Sequence, residues 1–242
     1  MKALGAQIRA ELVMTARRGE SVLVTIGIPV MLLVFFGSVH VLPTGSGRPI
    51  DFLAPGVLAL AVMSTSMVSL GIATGFERSY GVLKRLGSTP LGRWRLLAAK
   101  TAAVLVVEVI QVIVIASVAF GMGWRPHADV VPGALAVLLA TASFAGIGLA
   151  MAGSLRAELT LAAANGLYLV FLLLGGMVLT ITKLPAFLGT VARVLPATAL
   201  SSVLRHALGS SAAAPLHAWI VLASWGILAP VIATITFHWE PD

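Results

Sequence analysis

The chain has 242 residues, 59% of them hydrophobic and only 10% charged, with a mean hydropathy of +1.02. A soluble domain carries roughly 25% charged residues, so this chain has too little polar surface to dissolve and belongs in a bilayer. A net charge of +7 and a pI near 10.8 would suggest nucleic acid in a soluble protein, but here the basic residues flank apolar segments, and the lack of cysteine excludes disulfides and thiolate metal sites.

Residues 1–20 place Leu4, Ile8 and Leu12 on one helical stripe with Lys2 and Arg9 elsewhere. This is the pattern of an interfacial helix along the inner leaflet, the alternative being a frayed polar tail. Apolar spans then follow at about 21–42 and 53–76. Each is long enough to cross a hydrocarbon core of roughly 30 Å as a helix.

The next stretch, Glu77 to Lys100, gathers six of the sixteen Lys and Arg residues. Tyr80, Leu83 and Leu86 recur at helical spacing among Arg78, Lys84 and Arg85, and Gly87 supplies a helix stop. A restart is expected with Thr89 as N-cap and Pro90 at the first helical position, running through Trp94 and Leu97 into a third span at 101–123. A polybasic anchor on anionic lipid accounts for the charge of this region but not for its apolar stripe.

Within the third span Glu108 and Gln111 share one face. A polar pair at that depth is expensive unless paired or wetted, so it serves either structure or the handling of substrate or protons. The fourth span, 131–153, carries Ala142, Gly146 and Ala150 as a small-residue stripe for close helix approach, with a contact inside the subunit the plainer expectation. A fifth span covers 159–181 and a sixth 216–237. Between them, residues 183–208 hold two apolar helical half-segments split by Pro196, each too short to cross. They form a re-entrant hairpin or an amphipathic pair on the outer surface.

The runs lack the alternation of barrel strands. With the N-terminus inside, eleven Lys and Arg residues fall on the inner side and five on the outer, which puts both termini in the cytoplasm. The five histidines show no metal spacing, and no Ser, His and acid constellation converges within one span. In "GSTPLGRW" Arg93-Trp94 replaces the Lys-Ser/Thr of a phosphate loop, so no nucleotide site is expected on this chain.

Two motifs carry a family resemblance. "APGVLAL" followed by "ERSYGVLKRLGSTPLGRWRLLAAK" resembles the P-G and E-R-x-x-G-x-L-x-x-L-x-x-T-P-L signature of permease subunits of ABC-2 type exporters, the type V transporter fold. The later run is similar to the same family's fifth span and extracellular region, with Gly175-Gly176, Leu184-Pro185, Pro196 and Arg205 in the family's order. The resemblance implies a single all-α integral membrane domain over 1–242. It would have six transmembrane helices, an N-terminal interfacial helix, a coupling helix in the cytoplasmic region 77–89 and an extracellular re-entrant hairpin.

The resemblance further assigns Glu77, Arg78, Tyr80, Leu83, Lys84, Arg85 and Leu86 to contact with a separate ABC ATPase. Two ATPase copies, a second permease copy or homologous permease, and membrane lipid are the implied partners, with no nucleic acid. ATP and Mg²⁺ would sit on the ATPase, leaving this chain without catalysis or cofactor. The implied function is export of a drug, antibiotic or lipid-like molecule across the cell inner or plasma membrane. Export of a lipid-linked glycan and, less readily, gradient-driven transport are the alternatives; sparse aromatic residues and the absence of an internal repeat count against them.

Overall fold

The computed structural model describes residues 2–17, 19–39, 48–87, 92–126, 129–177, 185–209 and 214–238, which are helical without a strand among them. Arg18, His40, the Thr89-Pro90 corner, His127, Lys183, Leu184 and Trp239 lie outside the described residues. Helix α1 is Lys2–Arg17 and α2 is Gly19–Ser38. A third long run, Pro49–Ser79, consists of α3 (Pro49–Met63), a π-helical stretch Ser64–Ser69 and α4 (Leu70–Ser79). After a turn at Tyr80-Gly81 come α5 (Val82–Gly87), α6 (Arg93–Gly121), α7 (Val130–Ser154) and α8 (Ala157–Leu174). Helices α9 (Ala186–Arg193), α10 (Pro196–Gly209) and α11 (Leu216–Thr236) complete the chain.

Among the described residues, five helices are long and apolar enough to cross a membrane: Pro49–Ser79, Arg93–Gly121, Val130–Ser154, Ala157–Leu174 and Leu216–Thr236. The first expected span corresponds to α2, a helix of 20 residues ending at Ser38 with Thr25–Ser38 as its described apolar part, and residues 40–42 of that span lie outside the described residues. The fifth ends early, because Gly175–Met177 leave the helix as bends after Leu174. Helices α9 and α10 meet at 80°, and α10 lies against α3, α7 and α11.

One expected boundary moves. Glu77 and Arg78 belong to the end of the long helix and not to the short one, which begins at Val82, because Gly81 adopts φ +72° and breaks the ladder there. The described helix of the third span starts at Arg93, behind an extended Gly92, and the expected cap at Thr89 and Pro90 lies outside the described residues.

Pro49–Ser79 is the axis of the bundle, with 72% of its most apolar window buried against 22–28% for α6, α8 and α11. Small residues permit this closeness. A Cβ on Gly148 of α7 would lie 2.5 Å from Met67 O, and one on Gly71 would lie 3.1 Å from Gly148 Cα. Gly146, from the expected small-residue stripe, sits against Ala229 and Pro230 of α11, so that contact is made within the chain.

The two ends of the bundle are distinct. At one end Leu70, Leu83, Leu96, Leu97, Leu149 and Phe237 form a single apolar cluster, and His238 N–H donates to Gly153 O at 3.1 Å. Because Glu11 also reaches this end through Lys100, the first and last described segments meet on the same side of the bundle. The opposite end holds Phe52, Gly175–Met177 and Arg205.

Candidate functional site

The helical corner is the first feature at the end shared by α1 and α11. Leu83 was expected on an outward stripe with Tyr80 and Leu86, but the structure turns it inward. Leu83 is fully buried against α4, α6, α7 and Phe237, Leu86 is half-buried beside it, and only Tyr80 is well exposed, at 75%. The reason is the left-handed Gly81. It redirects the chain after Ser79, so the 3.6-residue spacing read across Tyr80, Leu83 and Leu86 does not run through one continuous helix. The outward face of α5 carries Val82, Lys84 and Arg85 instead.

Glu77 and Arg78 likewise face the bundle. Arg78 is buried, and its guanidinium donates to Ala152 O at 3.4 Å and Leu155 O at 3.1 Å, closing the carbonyl end of α7. Glu77 meets Lys100 Nζ at 2.6 Å, and Glu11 of α1 meets the same ammonium at 3.1 Å. The Lys100 side chain is 1% exposed, which fits a charge held by two carboxylates and not by water. Gln7 Nε2 donates to Glu11 Oε1 at 2.9 Å, orienting that carboxylate from one turn away. Neither Glu11 nor a structural role for Lys100 was expected from the sequence. The available signal was that Lys100, Glu108 and Gln111 share one helical stripe, at i, i+8 and i+11.

Further along that stripe lies a polar layer. Glu108 and Gln111 are both 1% exposed, and the structure brings them to the π-helical stretch of the axial helix. Thr65 Oγ1 donates to Gln111 Oε1 at 3.0 Å, and Gln111 Nε2 donates to Thr25 O of α2 at 2.9 Å. Thr141 Oγ1 of α7 contacts Glu108 Oε2 at 2.5 Å. Ser66 Oγ donates to Val62 O at 2.5 Å, taking a carbonyl of the preceding turn and helping to open the ladder into its wider form. No sequence signal marked Thr65, Ser66 or Thr141 as partners, since their positions depend on how three helices meet.

At the opposite end the glycine motif closes on α10. Gly176 takes φ +69°, and the carbonyls released at the end of α8 are collected by α10 side chains. Thr198 donates to Leu174 O at 3.2 Å, Ser201 to Gly175 O at 2.5 Å, and Arg205 to Gly176 O and Met177 O. The Arg205 guanidinium also lies 4.1 Å over the Phe52 ring. Gly175, Gly176, Pro196 and Arg205 are thus brought together, whereas Pro185 is exposed at the start of α9, away from this cap.

The sequence profile of the ABC-2 type transporter family matches residues 3–208, most of the chain. The chain belongs to the ABC-2 type transporter family. No similar curated protein is found. As an ABC-2 membrane domain it is the permease component of an ABC transporter, a family whose permeases dimerise and associate with an ABC ATPase subunit.

In this permease two cavities flank the π-helical stretch. One, of about 310 Å³, reaches from Glu11 and Lys100 past Thr25, Thr65 and Ser69 along apolar Val104 and Val107. The other, of about 260 Å³, lies between α2, the axial helix and α8, with Ser64, Asn165 and Tyr168 in its wall. They share Thr25, Val68 and Ser69, so the ABC-2 bundle has hydroxyl-lined, largely apolar space on both sides of its widened helical turn.

Proposed function

We propose that this permease exports a hydrophobic or amphipathic molecule, of the drug, antibiotic or lipid-like class, from the cytoplasm, driven by ATP and Mg²⁺ held on a separate ATPase. The cavities beside Ser64–Ser69 support the substrate class, since they offer mostly apolar walls with a few hydroxyl and amide groups, Tyr168 being the one aromatic ring among their lining residues. The exposed polar residues Ser69 and Asn165 on the flank of the spans favour a second permease copy over lipid on that side.

In this reading the end bearing Glu11, Glu77 and the C-terminal segment is cytoplasmic, which the cation asymmetry favours. Helix α1 lies along the inner interface. The pair α9–α10 is an extracellular re-entrant element, consistent with two short helices bent at 80°, one of them packed between spans. Catalysis of hydrolysis stays with the ATPase, two copies of which serve two permeases.

The observation that carries the reading is the α4–α5 corner. Its inner side is fixed by Leu83, and its outer side offers Tyr80, Val82, Lys84 and Arg85 to a partner. An apolar contact flanked by cations suits docking in a groove with a defined register. The double variant Tyr80→Asp, Val82→Asp is expected to insert normally but to lose capture of the cognate ATPase and ATP-dependent efflux. Full efflux by that variant would overturn the assignment.

A further inference from the structure

Two acidic side chains are buried among the described residues, and they are held differently. Glu11 meets Lys100, whereas Glu108 meets only hydroxyl groups, and its Oε1 has no hydrogen-bond partner. The neighbours explain why. Helix α7 and the π-helical stretch contain no ionisable residue, α3 contains only Asp51, α11 only His217 and α2 only Glu20, so no Lys or Arg reaches Glu108 from any of them, while α1, which meets α6 at Lys100 through Glu11, carries Lys2 and the exposed Arg9 and Arg17. On its own helix the nearest cation is Lys100, eight residues or about 12 Å away and occupied by two carboxylates. An ionised carboxylate in that position is a bare charge at the depth of the span.

The hydrogen count points the same way. A threonine hydroxyl owns one hydrogen. Thr141 Oγ1 lies 2.8 Å from Val137 O and 2.5 Å from Glu108 Oε2. A carbonyl only accepts, and an ionised carboxylate only accepts, so one hydrogen would have to serve two acceptors. A second hydrogen, on the carboxyl group, completes the chain. We propose that Glu108 is a proton-binding site, carrying a hydrogen on Oε2 that it donates to Thr141 Oγ1, while the Thr141 hydrogen goes to Val137 O. The remaining Oε1 is then the carbonyl oxygen of a neutral acid, for which burial without a partner costs far less than for half of a negative charge. The α6–α7 contact becomes a neutral relay, and a movement that parts these helices strips the proton of its acceptor. The inference concerns this side chain alone and stands whether or not the export reading does.

Infrared spectroscopy of the purified full-length chain in lipid nanodiscs at neutral pH tests it. The wild-type protein should show the carbonyl stretch of a protonated carboxylic acid, moving to lower frequency when glutamate is supplied ¹³C-labelled. The band should vanish in Glu108→Gln, whose amide still offers an N–H to Thr141, and should move to higher frequency in Thr141→Val, which removes the acceptor. Absence of the band from the labelled wild-type protein, or its persistence in Glu108→Gln, overturns the proposal. An unshifted band in Thr141→Val overturns Thr141 as the acceptor.

Discussion

Lys100 shows why a buried charge is better tested by removing all of its partners than by removing one. With its side chain 1% exposed between Glu11 and Glu77, Lys100 keeps one counter-charge when either carboxylate is deleted, and only loss of both strands the ammonium, at a cost of about 3–5 kcal/mol. The double variant Glu11→Gln, Glu77→Gln should therefore unfold at markedly lower temperature in a thermal-shift assay in detergent, while the triple variant Lys100→Met, Glu11→Gln, Glu77→Gln should recover most of the loss. Equal destabilisation of both would mean the ionic contacts are not the source. The sequence announced Glu108 and Gln111, because polar residues in a charge-poor run stand out. It did not announce Glu11 or the role of Lys100, because at a span end a charge reads the same whether it faces water or another helix. Arg205 illustrates the middle case: its place in the motif was legible, but its work as the cap of α8 depends on the bends at Gly175–Met177. Arg205→Met should leave the Gly176 and Met177 carbonyls without that donor, at about 1–3 kcal/mol each, and lower the melting temperature accordingly.

At the scale of elements, the corner between α4 and α5 separates two kinds of apolar residue that spacing alone confuses. Leu83 is core and Tyr80 is surface, although three residues of a regular helix would have put them side by side. Leu83→Asp should therefore damage the corner itself, releasing α5 and lowering stability even without any ATPase present, unlike Tyr80→Asp. Measuring melting of the isolated permease distinguishes the two; a stable Leu83→Asp protein would contradict the buried position. Gly81→Ala, which imposes a side chain at φ +72°, should cost about 1–2 kcal/mol and shift the register of α5. The existence and type of the helices were legible from apolar length, and α6 is one continuous helix through the basic region into its span. The corner was not, because a single glycine inside a helical pattern is tolerated as often as it breaks one.

For the molecule as a whole, the meeting of the first and last described segments at one end has a direct test. The chain has no cysteine, so single cysteines report cleanly. Cysteine at Ser79 and at Ser154, both exposed at that end, should stay unlabelled by an impermeant thiol reagent applied to intact cells. Cysteine at Thr190, exposed on α9, should label. Labelling of Ser79→Cys from outside would invert the proposed orientation. Hydropathy gave the class of molecule and cation asymmetry its expected orientation. What neither contains is which helix is central, since Pro49–Ser79 is no more apolar than α6. Its central place follows from where glycines let backbones touch, at Gly71 and Gly148.

The wide turn at Ser64–Ser69 amounts to one spare residue stored inside a helix. Each residue of a regular helix advances the facing direction by about 100°. Absorbing the spare residue in a bulge lets Pro49–Met63 and Leu70–Ser79 keep their own partners, and spreading it into regular turns would swivel the lower segment by that angle, carrying Glu77 away from Lys100. Shortening the chain here should consequently be harmless where shortening elsewhere is not. Deleting Ser69 is expected to leave a folded, membrane-inserted monodisperse protein by fluorescence-detected size exclusion, with the swivel abolished. Deleting Ala59, one turn above in the regular part, is expected to turn buried Leu60, Ala61, Val62 and Met63 off their partners before the bulge can compensate, and to yield aggregate.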